Sequence, residues 1–478
     1  MFWTNARTKS KKIFPISSFV CWFFFIASTL FLLYVFYLSE IALNGNERNG
    51  YIKYYQLALF GILFWGISIK LREDIKANLI TIVSSILLTL YIVEIGLVFM
   101  NLGSEPKKNA SIAKKANIEW DDRSQSKVVE DLIYKGIDAV LLPFPAEVMK
   151  EIGDDSKNTR NILPLGGLSN KTTVVSNELG QYMIYKSDRY GFNNPDDQWD
   201  ADSVQWLLIG DSFAQGLAVQ SGEDIASNIR SLTNTNAITL GMASNGPLIE
   251  YASVVEYGKN VAADKVIWIY YEDNDLPIDI IAEKKIPILM KYMNNQFTQN
   301  LIQRQEEIDS SLETYIDFAK TNAENRLRDE DNNEETSLRH SDREKSTISS
   351  LKKWIKLSRV RKVLAFDSEI RVEFDYELFS QILIKTKDEV EAWGGNLYFV
   401  YLPTYSRYKR NFVSHDEYFL KSEVINLVKG LNINVIDLHE EVFENNNNPL
   451  SLFPFKSEGH YTPEGYSAVA RAIISGAK

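Results

Sequence analysis

The sequence predicts an α/β domain built on a mostly parallel sheet and preceded by three membrane-spanning helices. Three observations support this fold class. Apolar residues are concentrated in the first hundred positions. Beyond them, short apolar runs such as VQWLLIG at 204–210 and KVIWIYY at 265–271 end in polar loops, as buried parallel strands do. These runs alternate with amphipathic segments, so we expect helices on both faces of the sheet.

Three uncharged stretches predict the membrane-spanning helices. The first runs from Ile13 to Ser39 and reaches about 40 Å at the rise of an α-helix, more than a bilayer core requires. The second runs from Tyr54 to Ile69, and the third runs from Ala77 to Val93 and past Glu94 to Leu102. The alternative for the first stretch is a cleaved signal peptide, but that has a much shorter apolar region. Glu94 lies close to a helix end and is expected to be hydrated.

The distribution of basic residues predicts the orientation of these helices. Basic residues are more frequent before the first helix and between the second and third than between the first and second. We therefore expect a cytoplasmic N-terminus, with everything after about residue 103 outside the cytoplasm. The basic residues counted are Arg7, Lys9, Lys11 and Lys12, then Arg48 and Lys53, then Lys70, Arg72 and Lys76.

Composition excludes several classes of function. The chain has 52 basic and 63 acidic side chains and a net charge of -11, which argues against nucleic acid as the main partner. The single cysteine, Cys21, excludes intrachain disulfides and a zinc site built from thiolates. No cofactor is predicted. The four histidines restrict the choice of a catalytic base.

The chain divides into three regions by composition. Residues 1–103 form the predicted three-helix anchor, and 104–203 form a polar linker or accessory region. Residues 204–478 form the α/β domain, which is interrupted at about 296–379 by a charged helical insertion.

Two parts of that insertion have contrasting compositions. Residues 326–345 carry almost no apolar side chain, so we expect a mobile and dispensable segment. Residues 351–366 read as a basic amphipathic helix. We expect this helix to pack against the domain, and the alternative is that it lies on the membrane surface.

Four polar loops follow predicted strands or precede the last helix, where ligands of parallel sheets bind. His460 is the best candidate base because it stands beside a glycine at a loop-to-helix junction. His340 falls in the charged insertion, and His415 and His439 lie in charged contexts that indicate solvation. The loops contain Gly210-Asp211-Ser212, then Thr239 to Pro247, then Glu272-Asp273-Asn274-Asp275, then Ser457 to Tyr466.

The residue types in these loops suit acyl-transfer chemistry. A serine such as Ser212 is a weak nucleophile that needs a base within hydrogen-bond reach. The uncharged amide of Asn274 could donate to a developing oxyanion, as could backbone amides at a helix start. The structural alternative is that Ser212 only caps a helix and that Asp211 is a turn residue.

These four blocks, in this order, resemble those of the SGNH, or GDSL, hydrolase superfamily, over residues 204–295 and 380–478. The resemblance implies a three-layer α/β/α flavodoxin-like sandwich. It also implies Ser212 as nucleophile, His460 as general base, and Asn274 with the Ser212 amide as oxyanion donors. The glycine expected in the second block falls either on Ser244 or on Gly246.

The acid of the catalytic triad departs from the family pattern. The aspartate usually found three residues before the histidine is Ser457 here, and Glu458 lies two residues before it. Glu458 is the preferred candidate because its longer side chain could compensate for the changed spacing. Asp437 is a rival, and a Ser-His dyad oriented by Ser457 or a backbone carbonyl is the third possibility.

Membrane-anchored members of the family resemble esterases and O-acetyltransferases of surface glycans. The resemblance therefore implies a serine enzyme in the bacterial inner membrane with a periplasmic catalytic domain. Its partners would be an acylated polysaccharide, the lipid bilayer and, for acyl transfer, an integral-membrane acyl-donor protein. A lipase or thioesterase acting near the bilayer, and a non-catalytic glycan-binding or assembly subunit, are the alternatives. Aromatic residues near the loops, such as Tyr271 and Tyr405, could stack on sugars or belong to the core.

Overall fold

The computed structural model describes residues 15–42, 48–99, 109–143, 148, 162–294, 296–317, 357, 358, 360, 374–408 and 417–477. The chain forms two compact units: residues 1–104 with 340–372, and residues 105–339 with 373–478. The predicted mobile segment 326–345, which includes His340, lies outside the described residues, as does His415.

The first unit contains the predicted membrane helices. These are α1 (Ile16–Phe36), continued by a π-helical stretch (Tyr37–Ala42), α2 (Arg48–Ser68) and α3 (Glu73–Phe99). Two segments, Ile16–Ala42 and Glu73–Leu97, are long and apolar enough to span a membrane. The second predicted span lies in α2, whose first half carries polar and charged side chains. The prediction of three spans is therefore supported for the first and the third.

A polar cluster joins the beginnings of α1 and α3. The ammonium group of Lys76 donates to the Ser18 hydroxyl at 2.7 Å and to the Glu73 carboxylate at 2.8 Å. Ser17 also donates to Glu73. The two apolar helices thus begin at the same end of the unit, as expected of helices that run in the same direction with one returning helix between them.

Glu94 is buried, contrary to the expectation that it is hydrated. Its side chain is 2% exposed and accepts a hydrogen bond from the Val360 backbone N–H at 2.8 Å. Only Leu357, Ser358 and Val360 of the predicted helix 351–366 are described. Because Val360 contacts the first unit, the expectation that this segment packs against the α/β domain is not met at that residue.

The second unit begins with a small sheet formed by part of the predicted linker region. Strand β1 (Ala139–Leu141) pairs in parallel with β2 (Thr172–Asn177), which pairs antiparallel with β3 (Tyr182–Lys186). Two helices, α4 (Asn109–Lys115) and α5 (Gln125–Tyr134), precede it. The described part of 104–203 therefore belongs to the same compact unit as the main sheet.

The main sheet has five parallel strands, which confirms the predicted parallel sheet. They are arranged in the spatial order β5-β4-β6-β7-β8. All four neighbouring pairs are parallel. Consequently, the loops that follow the strands all emerge at one edge. The strands are β4 (Trp206–Gly210), β5 (Ala237–Thr239), β6 (Lys265–Tyr271), β7 (Asn396–Leu402) and β8 (Asn434–Asp437).

Helices cover both faces of this sheet. Side chains of β4 alternate, so that Leu207 and Ile209 join one buried cluster while Leu208 joins the other. The described α-helices of four or more residues after β4 are α6 (Ser212–Gln215), α7 (Ile225–Thr233), α8 (Pro247–Ser253), α9 (Ile280–Glu283), α10 (Pro287–Lys291), α11 (305–317), α12 (Tyr376–Ala392), α13 (Glu417–Gly430) and α14 (Pro463–Gly476). The first cluster contains residues of α8, α12 and α13, and the second contains residues of α7 and α14.

Candidate active site

Ser212 stands at the carboxyl end of β4, directly after a turn that requires glycine. Gly210 has φ +152°, and a Cβ added there would lie 2.8 Å from the Ile269 carbonyl oxygen. Asp211 caps the one-turn helix α6 by accepting a hydrogen bond from the Phe213 N–H at 2.9 Å. The capping role considered for Ser212 is thus taken by its neighbour, and the Ser212 hydroxyl faces His460.

His460 lies in the loop before α14 and contacts the serine. Its Nε2 atom is 2.8 Å from the Ser212 Oγ. The loop is fixed by the Tyr461 hydroxyl, which donates to the Pro403 carbonyl at 2.9 Å, and the Phe213 ring packs 4.7 Å from the imidazole. The structure therefore brings together the predicted nucleophile and base.

The carboxylate on the other side of the imidazole belongs to Glu178, in the turn between β2 and β3. Its Oε1 atom lies 2.8 Å from His460 Nδ1, and its Oε2 atom accepts the His460 backbone N–H at 2.9 Å. A Cβ added at Gly459 would lie 2.8 Å from Glu178 Oε2. The glycine before the histidine thus makes room for the acid, and Glu178 holds His460 by both its ring and its backbone.

The sequence-based candidates for the triad acid lie elsewhere. Glu458 is exposed. Ser457 is buried, and its backbone N–H donates to the Pro454 carbonyl at 2.9 Å. Asp437 forms an ion pair with Lys421. The prediction of Glu458 as the triad acid is therefore wrong, because the carboxylate that contacts the imidazole Nδ1 is that of Glu178 in the β2–β3 turn.

The hairpin that carries Glu178 is held from both sides. Asn177 Oδ1 accepts the Gly180 N–H at 2.8 Å, and Asn177 Nδ2 donates to the Asp121 carbonyl at 3.2 Å. The Asp121 N–H donates to the Gly180 carbonyl at 2.7 Å, and Asn109 Nδ2 donates to the Glu178 carbonyl at 3.3 Å. The segment before α5 thus fixes the backbone that presents the acid.

Charge interactions favour an ionic form of the Glu178–His460 pair. Burial opposes ionisation of Glu178, but the charge and hydrogen bonds of His460 outweigh it and lower the pKa of this carboxyl. Burial likewise opposes protonation of His460, but the charges of Glu178 and Asp211 and the hydrogen bond to Glu178 raise its pKa above the ordinary value. The imidazole is therefore a stronger base than a free histidine.

The predicted oxyanion donors are only partly brought to the serine. The Gly246 N–H donates to Glu283 Oε1 at 2.7 Å and is already engaged. Ser244 is exposed and has φ +66°, a conformation that glycine adopts more readily. Asn274 Nδ2 donates to Asp211 Oδ2 at 3.3 Å, and its amide has a second N–H.

Three buried carboxyl groups lie in the chain near Gly246 and Asn274. Glu250, Asp275 and Glu283 are each at most 3% exposed. Burial, assisted by neighbouring carboxylates, raises the pKa of Glu250 and Asp275, and burial raises the pKa of Glu283 to about 8. Both oxygens of Glu283 accept backbone N–H groups, from Gly246 at 2.7 Å and from Leu248 at 2.8 Å. Among the described residues, no group of three or more His, Cys, Asp or Glu side chains could hold a metal ion.

A buried ion pair between Glu272 and Arg407 stabilises a loop next to the site. Glu272 accepts hydrogen bonds from the Thr404 backbone N–H at 2.6 Å and from Arg407 Nε at 3.0 Å. The Glu272 side chain is only 5% exposed, and that of Arg407 is 9% exposed. This pair fixes the loop after β7, whose Pro403 carbonyl accepts a hydrogen bond from the hydroxyl of Tyr461, the residue next to His460.

The remaining sequence-based site expectations divide into core and surface positions. Tyr271 and Tyr405 are partly exposed, whereas most of the aromatic residues near the loops are buried in the core. His439 was expected to be solvated, but its Nδ1 atom lies 2.9 Å from the Tyr408 hydroxyl in a half-buried position. The buried aromatic residues are Trp268, Tyr270, Tyr401 and Tyr461.

Comparison with known proteins finds distant structural similarity. No family model matches the sequence, and no curated protein matches it. Among solved structures, the chain is similar to "Structure of a putative lipolytic protein of G-D-S-L family from Desulfitobacterium hafniense DCB-2". The identity is 12% with a TM-score of 0.31, over 57% of this chain and 99% of that chain. A similarity of this degree carries no argument about activity, which depends on the side-chain geometry described above.

Proposed function

We propose that this protein is a serine esterase or O-acyltransferase of the SGNH type that works through an acyl-serine intermediate. One observation carries the proposal: the hydrogen-bonded series from Ser212 Oγ to His460 Nε2, at 2.8 Å, and from His460 Nδ1 to Glu178, at 2.8 Å. A nucleophile, a base and an orienting acid in contact define the triad arrangement independently of sequence order.

In the proposed reaction, Ser212 Oγ attacks the carbonyl carbon of an ester while its proton passes to His460 Nε2. The oxyanion is stabilised by the Ser212 backbone amide and the second N–H of Asn274, with the Ser244 amide as a further candidate. Each such donor contributes roughly 3 kcal/mol of barrier lowering. The C–O bond to the leaving alcohol then breaks, and His460 returns the proton to the alcohol oxygen.

The acyl-serine is resolved by a second nucleophile. Water, deprotonated by His460, gives the free acid and restores the enzyme, whereas a sugar hydroxyl gives a new ester. Glu178 stays ionised throughout and stabilises the imidazolium that forms in each half-reaction. The acid therefore acts by orientation and charge and does not itself accept a proton.

The proposed substrate is an acylated polysaccharide outside the cytoplasm, with acetyl as the favoured acyl group. Two apolar helices support attachment to a membrane, and the arrangement of basic residues favours an external catalytic unit. The partly exposed Tyr271 and Tyr405 offer aromatic surface for sugar rings. For acyl transfer, an integral-membrane partner would have to deliver the acyl group.

The test is acyl-serine formation by the full chain in detergent. We expect labelling by a fluorophosphonate probe and hydrolysis of an aryl acetate by the wild type. Ser212→Ala should abolish both, since the nucleophile is removed. Ser231→Ala, an exposed serine on α7, is the matched control and should behave as wild type. A folded wild-type protein that shows neither labelling nor hydrolysis would overturn the enzyme assignment in favour of a non-catalytic subunit.

Substrate and topology need separate tests. We expect acetate release from an O-acetylated oligosaccharide, and adding an unacetylated oligosaccharide distinguishes transfer from hydrolysis by mass spectrometry. A reporter fused after Lys478 should be active only outside the cytoplasm. Cytoplasmic reporter activity would contradict the external glycan substrate while leaving the serine chemistry intact.

A further inference from the structure

A polar groove lies beside the hairpin that carries the triad acid. Its volume is about 820 Å³. One wall is formed by residues 119–123 and the other by residues 180–182, the same hairpin in which Glu178 lies.

Some of the polar groups in the groove build its walls. Arg123 forms ion pairs with Asp121 at 2.6 Å and with Asp131 at 2.8 Å. The Tyr182 hydroxyl donates to the Arg123 carbonyl at 2.7 Å, and Gln220 Nε2 donates to the Tyr182 carbonyl at 3.1 Å. These contacts fix the shape of the groove in the absence of any occupant.

Other groups present functional atoms to the groove. Asp122 and Gln181 are exposed, and Trp120 and Tyr182 are partly exposed. Planar carboxylate and amide groups can bond to vicinal hydroxyls, and aromatic rings cover the apolar face of a sugar ring. A groove lined mainly by polar groups is unsuited to an acyl chain, which requires a predominantly apolar cavity.

The groove shares two chain segments with the proposed catalytic residues. Gly180 and Gln181 follow Glu178 in the same turn, and the Asp121 N–H donates to the Gly180 carbonyl at 2.7 Å. On the other side, the Trp120 ring lies 6.1 Å from the Phe455 ring, in the loop that leads to His460. The segments that hold Glu178 and His460 therefore border the groove on two sides.

The charge of the groove limits its ligand. Among the described residues that line it, Glu119, Asp121 and Asp122 carry carboxylates, and the one cationic side chain, Arg123, is paired with Asp121 and Asp131. The like charges disfavour a uronic acid or a phosphorylated sugar. We propose that this groove is a subsite for a neutral or amino-sugar segment of the glycan whose ester is attacked at Ser212. This proposal rests on the proposed function for its substrate class.

The test measures binding separately from catalysis. The full-length Ser212→Ala protein in detergent is titrated calorimetrically with three hexasaccharides: cellohexaose, a glucosamine hexamer and a mannuronate hexamer. We expect the dissociation constant of at least one of the first two to be tenfold or more below that of the mannuronate hexamer. The double substitution Asp122→Asn with Gln181→Ala should weaken that binding at least fivefold, whereas Asp202→Asn, an exposed aspartate before β4, should not.

Each other result overturns the groove proposal. These results are no binding of any hexamer, equal binding of all three, or binding that responds to Asp202→Asn as much as to the groove substitutions. Because the titration needs no turnover, such a failure is distinguishable from failure of the acyl-serine chemistry, which the fluorophosphonate probe measures in the wild type.

Discussion

The carboxyl edge of the main sheet and the hairpin between β2 and β3 contribute to one site in different ways. Ser212 and His460 lie in loops attached to the sheet, and their places follow from strand order and local turn chemistry. Glu178 lies on a separate small sheet, 282 residues away in the chain from the histidine that it contacts. The comparison shows that the proposed nucleophile and base belong to the main sheet and its connections, whereas the proposed acid comes from a neighbouring element.

Two glutamates give the strongest test of that comparison. Glu178→Gln should lower kcat/KM for an aryl acetate by about 10³–10⁴-fold, because the imidazole loses the charge that orients it and stabilises the imidazolium. Glu458→Gln should change kcat/KM by less than about twofold, since Glu458 is exposed. Steady-state kinetics of the two full-length variants, with circular dichroism to check folding, measure the difference.

The reverse result would be decisive. If Glu458→Gln were the damaging substitution, the acid would come from the histidine loop itself and the hairpin would be only structural. If both variants retained more than a tenth of the activity, the enzyme would work as a Ser-His dyad and neither region would provide a catalytic acid.

The sequence predicts the sheet and two of the three triad members because their signals are local. The run WLLIG followed by Asp211 and Ser212 specifies a buried strand and a tight turn within a few residues. His460 is marked by its junction between a glycine and a helix start. Glu178 carries no comparable signal: it stands in an ordinary polar turn between two short strands, TTVVSN and YMIYK. Only tertiary packing decides which loop that turn faces.

One local signal for the acid was nevertheless present in the histidine loop. Gly459 has φ +156°, and its missing Cβ leaves room for the Glu178 carboxylate. We expect Gly459→Ala to lower kcat/KM about tenfold to a hundredfold, because the added Cβ would displace the Glu178 carboxylate from His460; such a loss corresponds to roughly 1.4–2.7 kcal/mol of barrier. Gly222→Ala, which also replaces a glycine of positive φ but has open space around it, is the control for backbone strain alone.

The readout for this prediction is the ratio of activity loss to stability loss. The midpoint temperature of thermal unfolding should fall by a similar amount in both glycine variants. Only Gly459→Ala should lose substantial kcat/KM. Equal activity in the two variants would show that the carboxylate does not need the space at residue 459.

The pH profile sharpens the comparison further. His460 must be neutral to accept the serine proton, and Glu178 raises its pKa. The midpoint of the acidic limb of the kcat/KM profile should therefore lie at a higher pH than the ordinary histidine pKa. Activity should fall as the pH drops through that raised pKa. In Glu178→Gln the limb should move to lower pH, because the carboxylate that favours the imidazolium is gone. A limb that stays in place would mean that another group controls the protonation of His460.

The smallest expected effect concerns the support of the hairpin. Asn177 bonds to the Gly180 N–H and to the Asp121 carbonyl, and a net hydrogen-bond contribution of about 1 kcal/mol corresponds to roughly a fivefold change. Asn177→Ala should thus lower kcat by about twofold to fivefold through imperfect placement of Glu178, with KM for an aryl acetate little changed.

The matched control is Asn236→Ala, which removes one hydrogen bond to the Ser203 carbonyl ahead of β4, away from the catalytic loops. Both variants should remain folded, but only the hairpin variant should lose activity, and its acidic pH limb should move towards that of Glu178→Gln. Equal kinetic losses in the two variants would show that the acid is held by its bonds to His460 alone, and the hairpin would then be a scaffold whose exact position does not affect catalysis.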